Sequence, residues 1–407
     1  MTDTQTLRPV AAGERHMSLD VLRGLGVMGI LAVNAVAFAM PMGVYMSPNL
    51  SPFPLVGAEG QAWWVVQTFF HYKFITLFSM LFGVSLLLVG GERSDLARGA
   101  LLRRRLGWLL VFGLIHGLLI WYGDILLLYA ITGFGVMLFR SWKPRTLFIT
   151  ALIVIVLGSV LAVAPMMALE HAPPETRAEV LAQMGPRDPN SVTLSIAAVK
   201  SGLAGAMTEN FRAWITLQPL SVFFLIWRTG ALMMLGMALY KWGFLTGRAP
   251  AWLYAVLVAF GAAGLWVTGM ESAEKLAINF AQPRSNGVLQ LGYEFLTLPI
   301  TLGYASLAIL LLKLDALRKL LTPLARLGQM AFTNYLTQSL IMTTLFWGGR
   351  GLGLFGDFDR VELWGVVLAI WALQLIWSPL WLSRFSMGPL EWVWRRLAYG
   401  KGLARAG

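Results

Sequence analysis

Long runs of apolar residues, separated by short polar segments, cover most of the chain. A helix that crosses a membrane needs about 20 mainly apolar residues. Runs of this kind predict an all-α fold, a polytopic transmembrane helical bundle of about ten spans in a single integral membrane domain over residues 1–407. The predicted spans are residues 20–41, 63–89, 106–122, 124–140, 146–168, 217–240, 250–270, 290–312, 330–347 and 362–383.

The composition excludes a soluble or a disordered protein. Hydrophobic residues make up 57% of the chain and charged residues only 13%, whereas soluble domains carry about 25% charged residues. This is too little charge to cover the surface of a soluble fold of 407 residues. The chain has no cysteine and four histidines, so we expect no metal site.

Lysine and arginine are distributed unevenly between the two sides of the predicted bundle. One set of alternate segments holds more than twice as many as the other, and positively charged loops tend to stay in the cytoplasm. We therefore expect both termini inside, with a cytoplasmic tail at residues 1–18 and an interfacial cytoplasmic tail at residues 385–407. The net charge of +12 is then a property of these loops, and we expect no nucleic acid partner.

Residues 170–215 form the longest predicted segment outside the membrane and face outward. The pattern from Ser191 to Trp214 is helical and amphipathic, which is typical of a helix that lies on a membrane surface. The alternative is a plain spacer with one surface helix.

The sharpest polar cluster lies in a predicted helical hairpin. His116 is about two turns below the outer end of its span, and Asp124 begins the returning helix at that end. Because the two helices are antiparallel, the side chains can meet directly or through one water. A carboxylate orients an imidazole as a general base requires. The alternative is a hairpin that is locked by one buried hydrogen bond.

Polar residues also interrupt the first span. Asp20 and Arg23 are three residues apart and can pair on one helix face, either at a site or as a pair that marks the inner membrane boundary. Asn34 lies about 16 Å further along the helix, in the outer half of the bilayer. It either takes part in chemistry or holds helices together.

Further isolated polar residues mark four other spans. His71 and Lys73 are two apart, so on a helix they diverge by roughly 200° and cannot both face one pocket; Lys73 either reaches outward to water or binds an anionic group. Arg228 and Glu294 could pair with each other. A polar stripe on the ninth span, which includes Asn334 and Gln338, lines a cavity or packs helices.

These positions predict an outward-facing pocket and a separate inner polar region, since a polar group at membrane depth is costly and marks a site by default. The candidate catalytic residues are His116, Asp124 and Asn34. The candidate substrate-binding residues are Asp20, Arg23, His71, Lys73, Arg228, Glu294, Asn334 and Gln338.

Five segments give the chain a specific resemblance over nearly its whole length. They are Leu19–Gly24, Lys73–Gly83, His116–Leu126, Gly328–Tyr335 and Gly388–Arg395. With these segments the chain resembles the YeiB family of bacterial inner-membrane proteins. The resemblance implies a multi-pass protein of the bacterial inner membrane.

The YeiB family looks distantly related to membrane acyltransferases, among them bacterial O-acetylators of surface sugars and the lysosomal heparan-glucosaminide N-acetyltransferase. The bacterial enzymes carry an Arg, ten residues, then a catalytic His. Arg23 and Asn34 keep this spacing, with Asn in place of His. The lysosomal enzyme also has Asn there and a nearby His, but the loop after Asn34 contains Met40, Pro41 and Met42. An amide cannot remove a proton, so acyl transfer would need His116 or His71 as base.

The resemblance therefore implies a membrane-embedded acyltransferase that moves an acyl group from cytoplasmic acyl-CoA to an acceptor outside. The phosphates of acyl-CoA would be drawn to Arg103–Arg105. We expect membrane lipid and a small-molecule or lipid-linked acceptor as partners, and a homodimer. The alternative from another class is a transporter or binding protein for a small amphiphile such as a lipid or quinone. A structural partner in a membrane complex is the third interpretation.

Overall fold

The computed structural model describes residues 16–184 and 190–400, and within these ranges the chain is helical and contains no strand. Short π-helical or 3-10 turns join or extend several helices. The α-helices are α1 Met17–Ala39, α2 Met42–Met46, α3 Gly57–Val65, α4 Lys73–Gly90, α5 Leu96–Ile115, α6 Leu126–Val136, α7 Pro144–Glu170, α8 Pro174–Met184, α9 Ser191–Lys200, α10 Leu203–Lys241, α11 Ala251–Ala277, α12 Leu291–Leu312, α13 Asp315–Leu320, α14 Thr322–Gln329, α15 Ala331–Phe346, α16 Arg360–Leu382 and α17 Pro389–Tyr399.

Seven helical segments of the described residues are long and apolar enough to cross a membrane, which confirms the all-α, membrane-type fold. The remaining three predicted spans correspond to α5, α6 and α15, which are shorter or more strongly charged. The count of ten spans and the orientation therefore remain predictions. The seven segments are Met17–Ala39, Gly57–Gly90, Pro144–Glu170, Leu203–Lys241, Ala251–Ala277, Val288–Leu312 and Arg360–Leu382.

The hairpin helix α6 is too short to cross a membrane alone. With the 3-10 turn that follows, it covers Leu126–Phe139, which corresponds to about 21 Å against a hydrocarbon core of about 30 Å. The hairpin tip is instead enclosed by protein, since Trp121, Tyr122 and Asp124 are all buried.

The sixth predicted span begins earlier than its hydropathy indicated. Helix α10 starts at Leu203 rather than near residue 217 and runs for 39 residues, about 58 Å. The segment from Ser191 to Trp214 is not one helix. It is divided at Gly202, whose φ of 128° is accessible to glycine and interrupts the helix between α9 and α10. Residues 185–189 of the predicted external loop lie outside the described residues.

Close packing of α4 on α10 depends on two glycines. A Cβ atom on Gly83 would lie 2.0 Å from the carbonyl oxygen of Met233, and one on Gly236 would lie 1.9 Å from that of Met80. Small residues let helix backbones approach in membrane bundles, where no hydrophobic effect drives helices together. The apolar core around α4, α6 and α10 is built on this contact.

Helix α17 closes one end of the bundle. The carboxylate of Glu391 accepts the backbone N–H groups of Phe332 and Thr333 at 2.8 and 3.1 Å, so it caps the start of α15. Burial raises the pKa of this carboxyl above its usual value, against the opposing effect of its hydrogen bonds with Thr333. Residues 1–15 and 401–407 of the two predicted tails lie outside the described residues.

The predicted orientation can be tested with single cysteines, because the chain contains none. Thr193 in α9 and Ser94 before α5 are both exposed. With cytoplasmic termini, Thr193→Cys reacts with a membrane-impermeant maleimide in spheroplasts, and Ser94→Cys reacts only after permeabilisation. The cysteine-free chain is the control, and the reverse labelling pattern would show the opposite orientation.

The α4–α10 contact predicts a difference between two glycine substitutions. Gly83→Ala should lower the midpoint of thermal unfolding in detergent, because overpacking of this kind costs about 1–3 kcal/mol. Gly107→Ala is the matched control: nothing lies within 4 Å of its Cβ position, and alanine favours a helix over glycine by about 1 kcal/mol. An unchanged midpoint for Gly83→Ala would contradict the contact.

Candidate functional site

Two glycines let the arms of the hairpin approach each other and α10 closely. Helix α5 passes directly into a π-helical turn over His116–Ile120, a geometry that is frequent at functional sites. A Cβ atom on Gly113 would lie 2.4 Å from the backbone nitrogen of Leu127, and one on Gly117 would lie 2.3 Å from the indole nitrogen of Trp214. This packing holds His116 against the start of the returning helix.

His116 joins the two arms of the hairpin to α15. Its Nδ1 lies 2.9 Å from Oδ1 of Asp124, so the predicted contact is present. Its Nε2 lies 2.9 Å from Oγ of Ser339. His116 and Ser339 are each only 1% exposed, and the three side chains form a hydrogen-bonded Ser–His–Asp series.

The two contacts fit one arrangement of protons. With an ionised Asp124, which accepts only, and a neutral imidazole, Nδ1 of His116 donates to Asp124 and Nε2 accepts from the Ser339 hydroxyl. The second carboxylate oxygen of Asp124 accepts the backbone N–H of Leu127 at 2.8 Å. Asp124 is therefore held by the start of α6 and in turn fixes the ring of His116.

The sequence did not indicate Ser339. The predicted polar stripe on this helix ran through Asn334 and Gln338, whereas the face towards His116 carries Tyr335, Ser339 and Thr343 at four-residue intervals. This four-residue interval could have indicated a second polar face on the helix, because residues four apart share a helix face.

Three polar side chains satisfy the backbone of the hairpin tip. Asn210 donates to the carbonyl oxygens of Gly117 and Leu118 at 3.0 and 3.1 Å, and Gln218 donates to that of Asp124 at 2.9 Å. Arg350 donates to the carbonyl oxygens of two further tip residues, Leu119 and Ile120. Irregular backbone at membrane depth is tolerated only where protein or water satisfies it. Sequence reasoning also missed these three residues.

A first cavity, here called the inner cavity, has a volume of about 310 Å³ on the predicted cytoplasmic side. Asp20 and Arg23 line it and form the predicted pair, with 2.8 Å between Nη1 and Oδ1. Tyr335 also lines it, and its ring centroid is 5.3 Å from that of His116. Other lining residues include Phe78, Phe82, Arg105, Ile125, Tyr129, Phe332, Glu391 and Trp394.

A second cavity, here called the outer cavity, has a volume of about 320 Å³. Glu209 lines it and accepts from Ser195 at 3.1 Å and from Arg212 at 2.8 Å. Asn210 lines it as well, and its Oδ1 is buried without a hydrogen-bond partner among the described residues. Tyr122, at the hairpin tip, forms part of its wall.

The Ser–His–Asp series lies between the two cavities, as the order of residues along α15 indicates. On α15, Tyr335 lines the inner cavity and Trp347, just beyond its end, lines the outer one. Ser339 is four residues from Tyr335 and eight from Trp347, about 6 and 12 Å. Asn34 has a matching place on α1, between Arg23 at the inner cavity and Met40 at the outer one.

Arg228 and Glu294 form a buried ion pair in a different part of the bundle. Nη1 of Arg228 lies 2.5 Å from Oε2 of Glu294, so the pairing that the sequence allowed is present. Ser159 donates to the same carboxylate at 3.2 Å. The guanidinium also lies 5.5 Å from the ring centroid of Tyr72, which adds a cation–π contact.

His71 and Lys73 face the same side chain, so the prediction that they diverge is wrong. The helix is interrupted between them, because Tyr72 has a left-handed backbone with a φ of 62°. The ring centroids of His71 and Tyr293 are 6.2 Å apart, and Nζ of Lys73 lies 4.8 Å from that of Tyr293. Lys73 is fully buried and donates to the carbonyl of Gln67 at 3.0 Å, so it does not reach outward to water.

The residues of the expected outer pocket form two groups without direct contact in the described ranges. Among the described residues, no hydrogen bond, ion pair or ring contact connects His71, Lys73, Arg228 and Glu294 with His116. The side chain of Asn34 is half-buried and has no hydrogen-bond partner in the same ranges. A common pocket for all of these residues stays a prediction.

Asn334 and Gln338 pack helices together and line neither cavity. Nδ2 of Asn334 donates to Ser378 at 3.0 Å, and its Oδ1 accepts from Trp377 at 2.7 Å. Gln338 donates to Gln374 at 2.9 Å. These contacts engage their amide groups with α16, and their assignment as substrate-binding residues stays a prediction. The described residues also contain no cluster of side chains that could hold a metal ion.

The fold and site define a helical membrane protein with a buried Ser–His–Asp series between two cavities. The chain belongs to the YeiB family: it is 31% identical to the uncharacterized protein YeiB of Escherichia coli (strain K12) over 393 residues, which cover 94% of this chain and 96% of YeiB. It is also 31% identical to the uncharacterized protein YxaH of Bacillus subtilis (strain 168) over 420 residues, which cover 97% and 96%.

Two further comparisons agree with this assignment. Residues 239–401 match DUF418, described as a protein of unknown function. An uncharacterized 39.9 kDa protein in the amylase 3′ region of Bacillus acidopullulyticus is 27% identical over 401 residues, which cover 97% of this chain and 96% of that protein. No solved structure matches the chain significantly.

The Arg228–Glu294 pair predicts a non-additive effect on stability. Arg228→Met should cost about 3–5 kcal/mol, because it leaves Glu294 buried and unpaired, and the double substitution with Glu294→Met should recover most of that loss. Unfolding in detergent measures both. Arg212→Met is the control, since the Arg212 side chain is 70% exposed in its pair with Glu209 and should contribute little. Additive effects would contradict a buried pair.

Proposed function

We propose that this protein is an acyltransferase of the bacterial inner membrane, which moves an acyl group from cytoplasmic acyl-CoA to an acceptor on the outer side. The observation that carries the proposal is the buried His116–Asp124 contact, at 2.9 Å, between two cavities on different sides of it. A base with an orienting carboxylate is suited to activating a hydroxyl for acyl transfer.

The inner cavity suits the donor. Arg23 and Arg105 lie in its wall and could bind the phosphates of acyl-CoA, since guanidinium groups pair well with phosphate. Its interior is largely apolar and aromatic, and it reaches Ile125, the residue that follows Asp124 in the chain. A short acyl group could therefore extend towards His116 while the charged part stays beside Arg23 and Arg105.

The outer cavity suits an acceptor with several hydroxyl groups. Glu209, Arg212 and Ser195 supply charged and hydroxyl groups on its wall. Oδ1 of Asn210 is a buried acceptor without a partner among the described residues, and leaving such an atom unpaired is costly. A hydroxyl of the acceptor would satisfy it.

Asn34 would stabilise charge rather than move protons. Its amide N–H can donate to an acyl carbonyl oxygen, the role of an oxyanion donor, and its side chain is free of other hydrogen bonds within the described ranges. His116 would be the base of the reaction, and Asp124 would hold its ring.

The inner cavity also favours a second candidate function, the binding or transport of a small amphiphile. Its arginines beside an aromatic interior fit an anionic head and an apolar body. In this case no bond is made or broken, and His116 only stabilises the hairpin. The two candidates differ in whether a thioester is consumed.

The acyltransferase proposal is tested with purified protein in lipid nanodiscs. Isothermal titration should show binding of acetyl-CoA, and glucose as a simple hydroxyl acceptor should increase the release of free CoA. A thiol reagent measures that release without interference, because the chain has no cysteine. His116→Gln should reduce release to the background rate while acetyl-CoA still binds.

His171→Gln is the matched control, since His171 is exposed in the loop after α7 and should release CoA at the unmodified rate. Thermal unfolding of each variant shows whether it is folded. Absence of acetyl-CoA binding by the unmodified protein, or full CoA release by a folded His116→Gln variant, would reject the proposal.

A further inference from the structure

The base nitrogen of His116 is already occupied by a side chain of the protein. Nδ1 lies 2.9 Å from Oδ1 of Asp124, and Nε2 lies 2.9 Å from Oγ of Ser339. A substrate hydroxyl cannot use Nε2 unless Ser339 gives way, so the group that His116 is placed to deprotonate is Ser339 itself. We propose that Ser339 is the nucleophile that accepts the acyl group from the donor, which rests on the proposed acyltransferase function.

The geometry is that of an activated nucleophile. A serine hydroxyl is a weak nucleophile and needs a base within about 2.6–3.2 Å, which a third group orients. Both distances in the Ser339–His116–Asp124 series are 2.9 Å. The three residues come from α15, the π-helical turn and the hairpin tip, so the fold brings them together from distant parts of the chain.

The donor can approach Ser339 from the inner cavity through Tyr335. Tyr335 is one helical turn before Ser339 and on the same face, and it lines the inner cavity. Its ring also contacts the buried series, with 5.3 Å between the ring centroids of Tyr335 and His116. In our proposal a thioester in the inner cavity reaches Ser339 past this ring.

The first half-reaction makes an acyl ester of Ser339. His116 removes the proton from the Ser339 hydroxyl, and Oγ attacks the carbonyl carbon of the thioester. The carbon–sulfur bond breaks, and the leaving CoA sulfur takes the proton from His116. The products are free CoA and the acyl ester at Ser339, with no oxidant or reductant involved.

The second half-reaction transfers the group to the acceptor. An acceptor hydroxyl from the outer cavity gives its proton to His116, and its oxygen attacks the ester carbonyl. The bond between the acyl carbon and Oγ breaks, and Oγ recovers the proton from His116. Donor and acceptor therefore never need to meet, which agrees with the two cavities on different sides of the series.

A purely structural role for Ser339 predicts different results. In that case its hydrogen bond only holds α15 against the hairpin, and its loss would lower stability without removing a covalent intermediate. Formation of the acyl ester distinguishes the two roles, because a change in stability alone does not create or remove a covalent intermediate.

The experiment uses full-length protein in detergent with radioactive acetyl-CoA and no acceptor. We expect the unmodified protein to carry one acetyl group, which peptide mass spectrometry assigns to Ser339. Ser339→Ala should lose the label and reduce transfer to glucose by roughly a thousandfold or more, with acetyl-CoA binding retained. Ser306→Ala is the control, because Ser306 is equally buried in α12 and lies in neither cavity wall.

Ser339→Cys gives a second test that does not depend on the fold of the alanine variant. It should carry the acetyl group as a thioester, which neutral hydroxylamine removes far faster than the serine ester. Label on His116 instead of Ser339, or a folded Ser339→Ala variant that transfers at the normal rate, would overturn the inference and leave the proposed function in place. Absence of both label and transfer in the unmodified protein would overturn both.

Discussion

The requirement that buried polar groups find partners within the protein shapes the centre of this molecule. Hydrocarbon offers no hydrogen bonds, so an unpaired donor or acceptor there costs several kcal/mol. The hairpin tip concentrates such groups, with the ring of His116, the carboxylate of Asp124 and a run of irregular carbonyls. Their partners come from α10, α15 and Arg350, so satisfying the tip fixes how these elements meet.

The same requirement explains why only some polar residues of the bundle suit a site. Asn334 and Gln338 are hydrogen-bonded to α16, and Arg228 is paired with Glu294, so both sets stabilise the packing. His116 is also paired, with Asp124 and with Ser339. A serine hydroxyl becomes a nucleophile when a base accepts its proton. Cavities also lie on either side of this position, which is why our proposal places the chemistry here.

Helical periodicity predicted well wherever the helix was continuous. The pairing of Asp20 with Arg23 follows from spacing along a regular helix. The approach of His116 to Asp124 follows from the antiparallel arms of the hairpin, although its tip is irregular. The prediction for His71 and Lys73 was wrong because it assumed a regular helix through Tyr72, whose backbone is left-handed. Because the helix is broken at Tyr72, His71 and Lys73 can both approach Tyr293. The spacing of apolar residues does not reveal such a break.

The sequence by itself determined the fold class, because long apolar runs with little charge can be stable only as helices in a membrane. It also determined the polar residues that must be satisfied inside the bundle. The tertiary structure decided their partners: Ser339 for His116, Asn210 and Gln218 for the hairpin tip, and α16 for the polar stripe of α15. Those contacts join residues far apart in the chain, and only the packing of the helices fixes which faces meet.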